Sequence, residues 1–326
     1  MNRRHAAISL LALSIAPHFV KAQQRSKIWR VGFLTASAKA DNVRLLDNFR
    51  GALRELGNVE GTTYVLEPRF GNADLDQLTS LAAELVRLKV DIIISVASRP
   101  AVEIRKASTE IPIVLLSAGD PVGAGLVKNL GRPEGNVTGT SNSLTDIAPK
   151  HVELLLDTVP KLSRLAVLMN PAYRSHRDAL KTIQALGSRL NLQVLPIEAG
   201  STEEIERGFL AMAKHRAEAF IVVFDPIFDA RTKQIAELAV KGRLPSVAYA
   251  SWYADAGCLM SYGADPREIV RRTAAYVDRI FKGATPAELP IEQPTKFELV
   301  INLRTAKALG LKIPQSVLLR ANRVIE

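Results

Sequence analysis

Hydrophobic and polar positions change period in a regular order along the chain. "WRVGFLT" (29–35) is a short apolar run with strand character. In "DNVRLLDNFRGALRELG" (41–57), Leu45, Leu46, Phe49, Ala52, Leu53 and Leu56 recur at helical spacing, with Asp41 placed to cap the start and Gly57 to end it. "TTYVLEPRF" reads as a second strand, and 74–88 as a second helix with Leu75, Leu78, Leu81, Ala82 and Leu85 on one face. "VDIIISVAS" is continuously apolar, the pattern of a strand covered on both faces. A short helix over 99–108 leads into "IPIVLLS". The alternation then restarts, with a strand over 164–170, a helix over 176–190, and "LQVLPIEA", "TEEIERGFLAMAKH", "AFIVVFD", "ARTKQIAELAVKG" and "PSVAYAS" as strand, helix, strand, helix and strand. Two βαβαβαβ runs predict two parallel sheets, each with helices on both faces.

The tail departs from this alternation. "DPREIVRRTAAYVDRIFKG" (265–283) reads as a long helix with Ile269, Val270, Thr273, Ala274, Val277, Ile280 and Phe281 inward. Pro286, Pro290 and Pro294 suit an extended crossing segment, and "FELVIN" and "LRTAKALG" read as a strand and a short helix. The expected fold is therefore α/β, with two Rossmann-like lobes joined by a three-segment hinge near 140–144, 260–264 and 285–292. One lobe comprises 27–142 plus 264–284, the other 143–263 plus 285–326. Ligands of such sheets bind outside the carboxyl ends of the strands, so two facing lobes make a cleft that can close.

The first residues set the class. "MNRRH" is basic, "AAISLLALSIAP" is apolar but too short to span a bilayer, and "VKA" (20–22) supplies small residues before a cleavage point. Residues 1–22 are expected to be a secretory signal peptide, and no Cys near the cut suggests a lipid anchor. An exported, unanchored protein of the periplasm follows. The formal charge of +10 falls to +7 without Arg3, Arg4 and Lys21, and the cations are scattered. That argues for a solvated surface and no nucleic-acid partner. Cys258 is alone in an apolar setting and reads as a packed thiol.

"SAGDPVGAG" (117–125) follows a buried strand and invites a phosphate-loop reading. Its glycines miss both the G-x-G-x-x-G and the G-x-x-x-x-G-K-[ST] spacings, because Lys128 and Ala124 stand where glycines are needed. What remains is a strand end with Ser117, Gly119, Asp120 and Pro121, expected to feed a helix start whose N–H groups can face an anion. Asp120 serves equally as a cap. Other strand ends carry similar chemistry: Thr35 and Ser37; Ser95, Ala97 and Ser98; Thr140 and Ser141; Asn170; Asp225; Tyr249 and Ser251, with Trp252 and Tyr253 beyond; and Tyr262. Hydroxyls and amides suit a carboxylate, an acid suits an ammonium, and rings suit an apolar group. The set fits a small zwitterion. His151, His176 and His215 fall in or near helices, and no zincin, thiol or nucleophile-elbow motif is present. No cofactor, metal or catalytic residue is assigned.

Several stretches resemble one family: the signal ending "VKAQQ", "VGFL" in the first strand, "SAGDPVGAGLVKNLGRPEGNVTGTSN" (117–142), "PIEQPTKFELVINLRTAKALGLKIP" (290–314) and the terminal "LLRANRVIE". The chain is similar to periplasmic substrate-binding proteins of ABC transporters, of the type I fold and the tryptophan-binding-like kind. The resemblance implies a receptor, not an enzyme, that captures a small solute, an amino acid and among those an aromatic one, by hinge closure. It implies an ABC permease with its ATPase subunit as partner, and a monomer suits a diffusing receptor. Two alternatives stay open. One is a two-lobed αβ enzyme of glycosyl-transferase type with Asp120 or Asp225 as its acid or base. The other is a ligand-sensing subunit for a membrane receptor.

Overall fold

The computed structural model describes residues 27–72, 74–142 and 144–326, so the expected signal peptide lies outside the described residues. The first lobe starts with β1 (Trp29–Thr35), α1 (Val43–Glu55), β2 (Tyr64–Phe70), α2 (Gln77–Arg87), β3 (Ile92–Val96), α3 (Ser98–Ala107), β4 (Ile113–Ala118) and β5 (Val137–Ser141). The second runs through α4 (Leu144–Thr158), β6 (Arg164–Met169), α5 (Arg174–Arg189), β7 (Gln193–Glu198), α6 (Thr202–Lys214), β8 (Ala219–Val222), α7 (Pro226–Ala230), α8 (Thr232–Lys241), β9 (Ser246–Ala248), α9 (Ser251–Ala256) and β10 (Met260–Ala264). The chain then returns to the first lobe with α10 (Pro266–Phe281), packed on α1, and β11 (Ile291–Glu292). It ends in the second with β12 (Phe297–Asn302), α11 (Leu303–Leu309), α12 (Gln315–Leu318) and β13 (Arg323–Ile325).

The sheets run β11-β5-β4-β3-β1-β2 and β13-β12-β10-β9-β8-β6-β7. The uninterrupted apolar runs become strands covered on both faces. Ile92 and Ile94 enter the layer shared with α1 and α10, while Ile93 enters the layer under α2 and α3, and all three are fully buried. Alternation with period two thus feeds two cores from one strand, each such side chain contributing roughly 1.5–3 kcal/mol. One continuous core fills the second lobe. Cys258 sits in it with its thiol pushed up to about 12 by burial, as expected of a packed cysteine. None of the described helices is long and apolar enough to cross a membrane.

Four local features differ from expectation. The helix over Leu144–Thr158, which carries His151, has no bounds in the sequence pattern; Pro149 lies inside it and blurs its helical period. β10 and β12 pair antiparallel, because the chain leaves the second lobe along one and re-enters along the other. The segment expected to cross at 285–292 stays with the first sheet, since Ile291 and Glu292 pair with Gly139 and Thr140 of β5. Its crossing follows at 293–296. Finally, 121–125 is a turn and not a helix start. Asp120 Oδ1 accepts from Gly123 N–H at 2.8 Å, and Gly125 adopts φ +71°, which breaks helical continuation.

Candidate functional site

The carboxyl ends of the two sets of strands face each other across a cleft of about 890 Å³. Among the strand-end residues singled out in the sequence, Ser37, Ser117, Tyr249 and Ser251 line it. Asn170 and Asp225 are buried beside its second-lobe wall. Thr140 and Ser141 line an adjoining pocket of about 220 Å³ at the hinge, with Asp265, Glu268, Arg272 and Glu292. Thr35, Ser95, Ala97, Ser98, Gly119, Asp120, Pro121 and Tyr262 line neither. Tyr262 stacks on Phe297 at 5.7 Å and passes its carbonyl to His151 Nε2 at 2.6 Å.

On the first lobe, the hydroxyls mostly bond within that lobe. Thr35 Oγ1 and Ser37 Oγ lie 3.1 Å apart, and Asn42 Nδ2 donates to Ser37 Oγ at 2.7 Å. Ser95 Oγ donates to the Ala97 carbonyl, and Ser98 Oγ accepts from Gly119 N–H, both at 3.1 Å. Thr140 Oγ1 accepts from Ser117 N–H at 3.2 Å. These bonds hold two non-glycine residues in the left-handed region, Ala97 at φ 67° and Ser117 at φ 60°. Such backbone persists where its surroundings over-determine it. Gly119 admits the other lobe rather than a solute: a Cβ there would lie 2.4 Å from Ser175 Oγ.

The second lobe builds its strand ends around a histidine whose helical position carries no local sign of that role. His176, on α5, accepts from Asn170 N–H at Nδ1 (3.0 Å) and donates from Nε2 to the Phe224 carbonyl (2.7 Å). Its imidazole therefore ties the end of β6 to the end of β8 as one neutral tautomer, and burial pushes its pKa down to about 4. Tyr173 stacks on it at 5.0 Å. Asp225 caps α7 through Oδ1, which accepts from the N–H groups of Ile227 (2.7 Å) and Phe228 (3.4 Å).

Four buried polar atoms here have no partner: Arg99 Nε, Asn170 Nδ2, Tyr173 Oη and Asp225 Oδ2. Arg99 stands at the start of α3 in the first lobe, its guanidinium anchored to Glu103 at 3.2 Å. The other three belong to the second. The charges of both Asp225 and Arg99 reach Tyr173, so the phenol sits within the field of each. The Asn170 amide lies close enough to the Asp225 carboxyl to act on it as a hydrogen-bond donor, although the pair falls short of full hydrogen-bond geometry. Burial pushes Asp225 up to about 7, against the pull of the Ile227 N–H, the Asn170 amide and the Phe228 N–H. It pushes Tyr173 well above the usual phenol range, and the Asp225 charge adds to this.

Sequence reasoning had selected Asn170 and Asp225 of these four. Arg99 and Tyr173 lie just past strand ends, and their only local signals are the helix start "SRP" and the turn "NPAY". Asp229, one turn beyond Asp225 on α7, was also missed. It lines the cleft and accepts from the hydroxyls of Tyr249 and Tyr253. Burial pushes it up to about 7, the two hydroxyls oppose that shift, and the Asp225 charge adds to it.

Residues 42–325 match the family described as ABC transporter substrate binding protein. The chain is 24% identical over 264 residues to the tyrosine-binding protein of Clostridioides difficile (strain R20291), covering 81% of this chain and 76% of that one. Its fold is similar to the ABC domain in complex with L-Trp from Streptococcus pneumonia (24% identity, TM-score 0.83), covering 92% of this chain and all of that one. It is also similar to the ligand-free, open structure of a substrate binding protein with adhesive properties from Clostridium difficile (21% identity, TM-score 0.64), covering 91% and 99%.

Proposed function

The chain belongs to the ABC transporter substrate-binding proteins, and on that premise we propose that it is the extracytoplasmic receptor of an importer. It captures an L-amino acid with an aromatic side chain between its lobes and hands it to a membrane permease coupled to an ATPase subunit. Residues 1–22 direct export, and the receptor works as a monomer.

The four unpartnered polar atoms carry this reading. Arg99 Nε–H, the Asn170 amide and the Tyr173 hydroxyl are donors, and Asp225 Oδ2 is an acceptor. An α-amino acid head group is their complement: its carboxylate accepts from the donors and its ammonium donates to Asp225. Each such group left buried and unpaired costs roughly 1–3 kcal/mol, which a bound head group removes. Because Arg99 and the other three stand on opposite lobes, a ligand touching all four stabilises the closed arrangement over the open one. The better superposition on the L-Trp complex (TM-score 0.83) than on an open, ligand-free protein (0.64), at similar identity, supports a closed arrangement here. The ligands named for two of these relatives support the aromatic class.

A thermal-shift screen against the proteinogenic amino acids and small organic acids tests the proposal. A ligand at 100 times its Kd adds about 2.7 kcal/mol of stability. Aromatic L-amino acids are expected to raise Tm most, and no rise with any amino acid counts against the reading.

A further inference from the structure

At the second-lobe wall, an acid and four rings are tied into one unit that head-group binding leaves unexplained. The Tyr249 ring meets Phe224 edge-on at 5.1 Å between centroids (88°), Trp252 at 5.8 Å (89°) and Tyr253 at 5.9 Å (62°). The hydroxyls of Tyr249 and Tyr253 both donate to Asp229, that of Tyr253 at 2.9 Å. At its backbone end Tyr249 is fixed by Gly263 of β10, where a Cβ would lie 1.6 Å from the Tyr249 carbonyl oxygen. Tyr249 is therefore held at both ends. Phe224, Asp229, Tyr249 and Trp252 line the cleft, while Tyr253 is fully buried behind them. Among the described residues, the first lobe lines the cleft with aliphatic Leu45, Val96, Leu116, Ile269 and Val270 and with no aromatic ring.

Packing alone does not call for this arrangement. Phenylalanines at 249 and 253 with an apolar residue at 229 would fill similar space without desolvating a carboxylate. What the acid adds is orientation. Aromatic pairs favour edge-to-face geometry, so a wall of rings locked in one orientation rewards a ring and offers a branched aliphatic chain only buried area.

We propose that Asp229 is a positioning residue for ligand selection: by holding Tyr249 and Tyr253 it locks the Phe224–Tyr249–Trp252 wall in an orientation that admits a flat aromatic side chain and discriminates against branched aliphatic ones. This rests on the reading of the chain as an amino-acid receptor. Released from Asp229, Tyr249 is free to rotate and the wall adapts to either shape.

The test is calorimetric titration of the full chain with L-tryptophan, L-tyrosine, L-leucine and L-tryptophanamide. It compares the unaltered protein with Asp229→Ala, Asp229→Asn and Tyr249→Phe. The unaltered protein is expected to prefer the aromatic ligands over L-leucine by about tenfold or more. Asp229→Ala collapses that ratio, while the ratio of L-tryptophan to its amide, which reads the head-group atoms, stays unchanged. Asp229→Asn keeps one acceptor and falls between, and Tyr249→Phe, which removes one hydroxyl, shows the same direction if the alanine variant does not fold. An aromatic-to-leucine ratio unmoved in these variants overturns the proposal, as does an equal loss for every ligand. An unaltered protein that binds no amino acid overturns both this proposal and the reading beneath it.

Discussion

The two faces of the cleft use polar side chains in opposite ways. On the first lobe, Thr35, Ser37, Ser95, Ser98 and Thr140 bond to groups of their own lobe and hold Ala97 and Ser117 in left-handed backbone. On the second, Asn170, Tyr173 and Asp225 are positioned by one buried histidine and a helix cap, yet each leaves an atom unpaired. Buried polar groups in folded proteins are almost always paired. On the proposed reading, the unpaired atoms of Arg99, Asn170, Tyr173 and Asp225 mark where a ligand completes the structure, and the paired hydroxyls mark architecture. Arg99 is the exception that links the faces, since among the described residues it supplies the first lobe's unpaired atom.

That contrast breaks most readily at Asp225. Asp225→Ala removes the one acceptor of the set and the α7 cap together. Losing the partner of a buried charge typically costs about 2–5 kcal/mol, so amino-acid affinity is expected to fall roughly 100-fold or more by calorimetry. A variant that still binds within a few-fold places the ammonium elsewhere. Tyr173→Phe is subtler. It removes a hydroxyl that has no partner without ligand, so apo stability holds or rises slightly while affinity falls about tenfold. Equal losses in stability and affinity would show that the hydroxyl is already bonded in the free protein.

The pH dependence sharpens the same point. Asp225 is pushed up to about 7 in the free protein, and an ammonium ligand needs its ionised form. Affinity therefore rises as pH increases through 7, with proton release on binding below that pH. Stability of the free protein carries the opposite sign. The folded Asp225 keeps a proton that the unfolded chain loses near its ordinary value of 3.8, so its contribution is present below 3.8 and is lost as pH rises through 7. Denaturation at several pH values, compared with Asp225→Asn, isolates this slope; an unchanged slope contradicts the assignment. The smallest effect is expected on the first lobe. Ser98→Ala breaks the bond to Gly119 N–H and costs about 1 kcal/mol of stability, with affinity changed less than twofold.

How far the sequence reaches follows the same division. The two βαβ runs were legible because parallel strands covered on both faces, such as Ile92–Val96 and Ile113–Ala118, read as uninterrupted apolar stretches. α7 and α9 were not, because five and six residues are too few to show a helical period. β11 pairs through only Ile291 and Glu292, so the prolines around it read as a crossing. In the proposed site, Asn170 and Tyr249 were selected because each immediately follows a strand, and Asp225 because it comes three residues after β8. Arg99, Tyr173 and Asp229 were not, because what distinguishes them is their long-range setting. Arg99 and Tyr173 carry unsatisfied atoms and come from different lobes, and Asp229 binds two phenols twenty or more residues away. His176 was passed over as a helical residue, although its bonds reach two strand ends.

The most direct test of the account asks whether both halves of a zwitterion are required. L-tryptophan, its amide and its deamino analogue 3-indolepropionate share one ring system and differ only at the head group. Titrated into the full chain at pH 8, where Asp225 is ionised, L-tryptophan is predicted to bind and each analogue to lose roughly 100-fold in affinity. Binding of either analogue within a few-fold of L-tryptophan would contradict it.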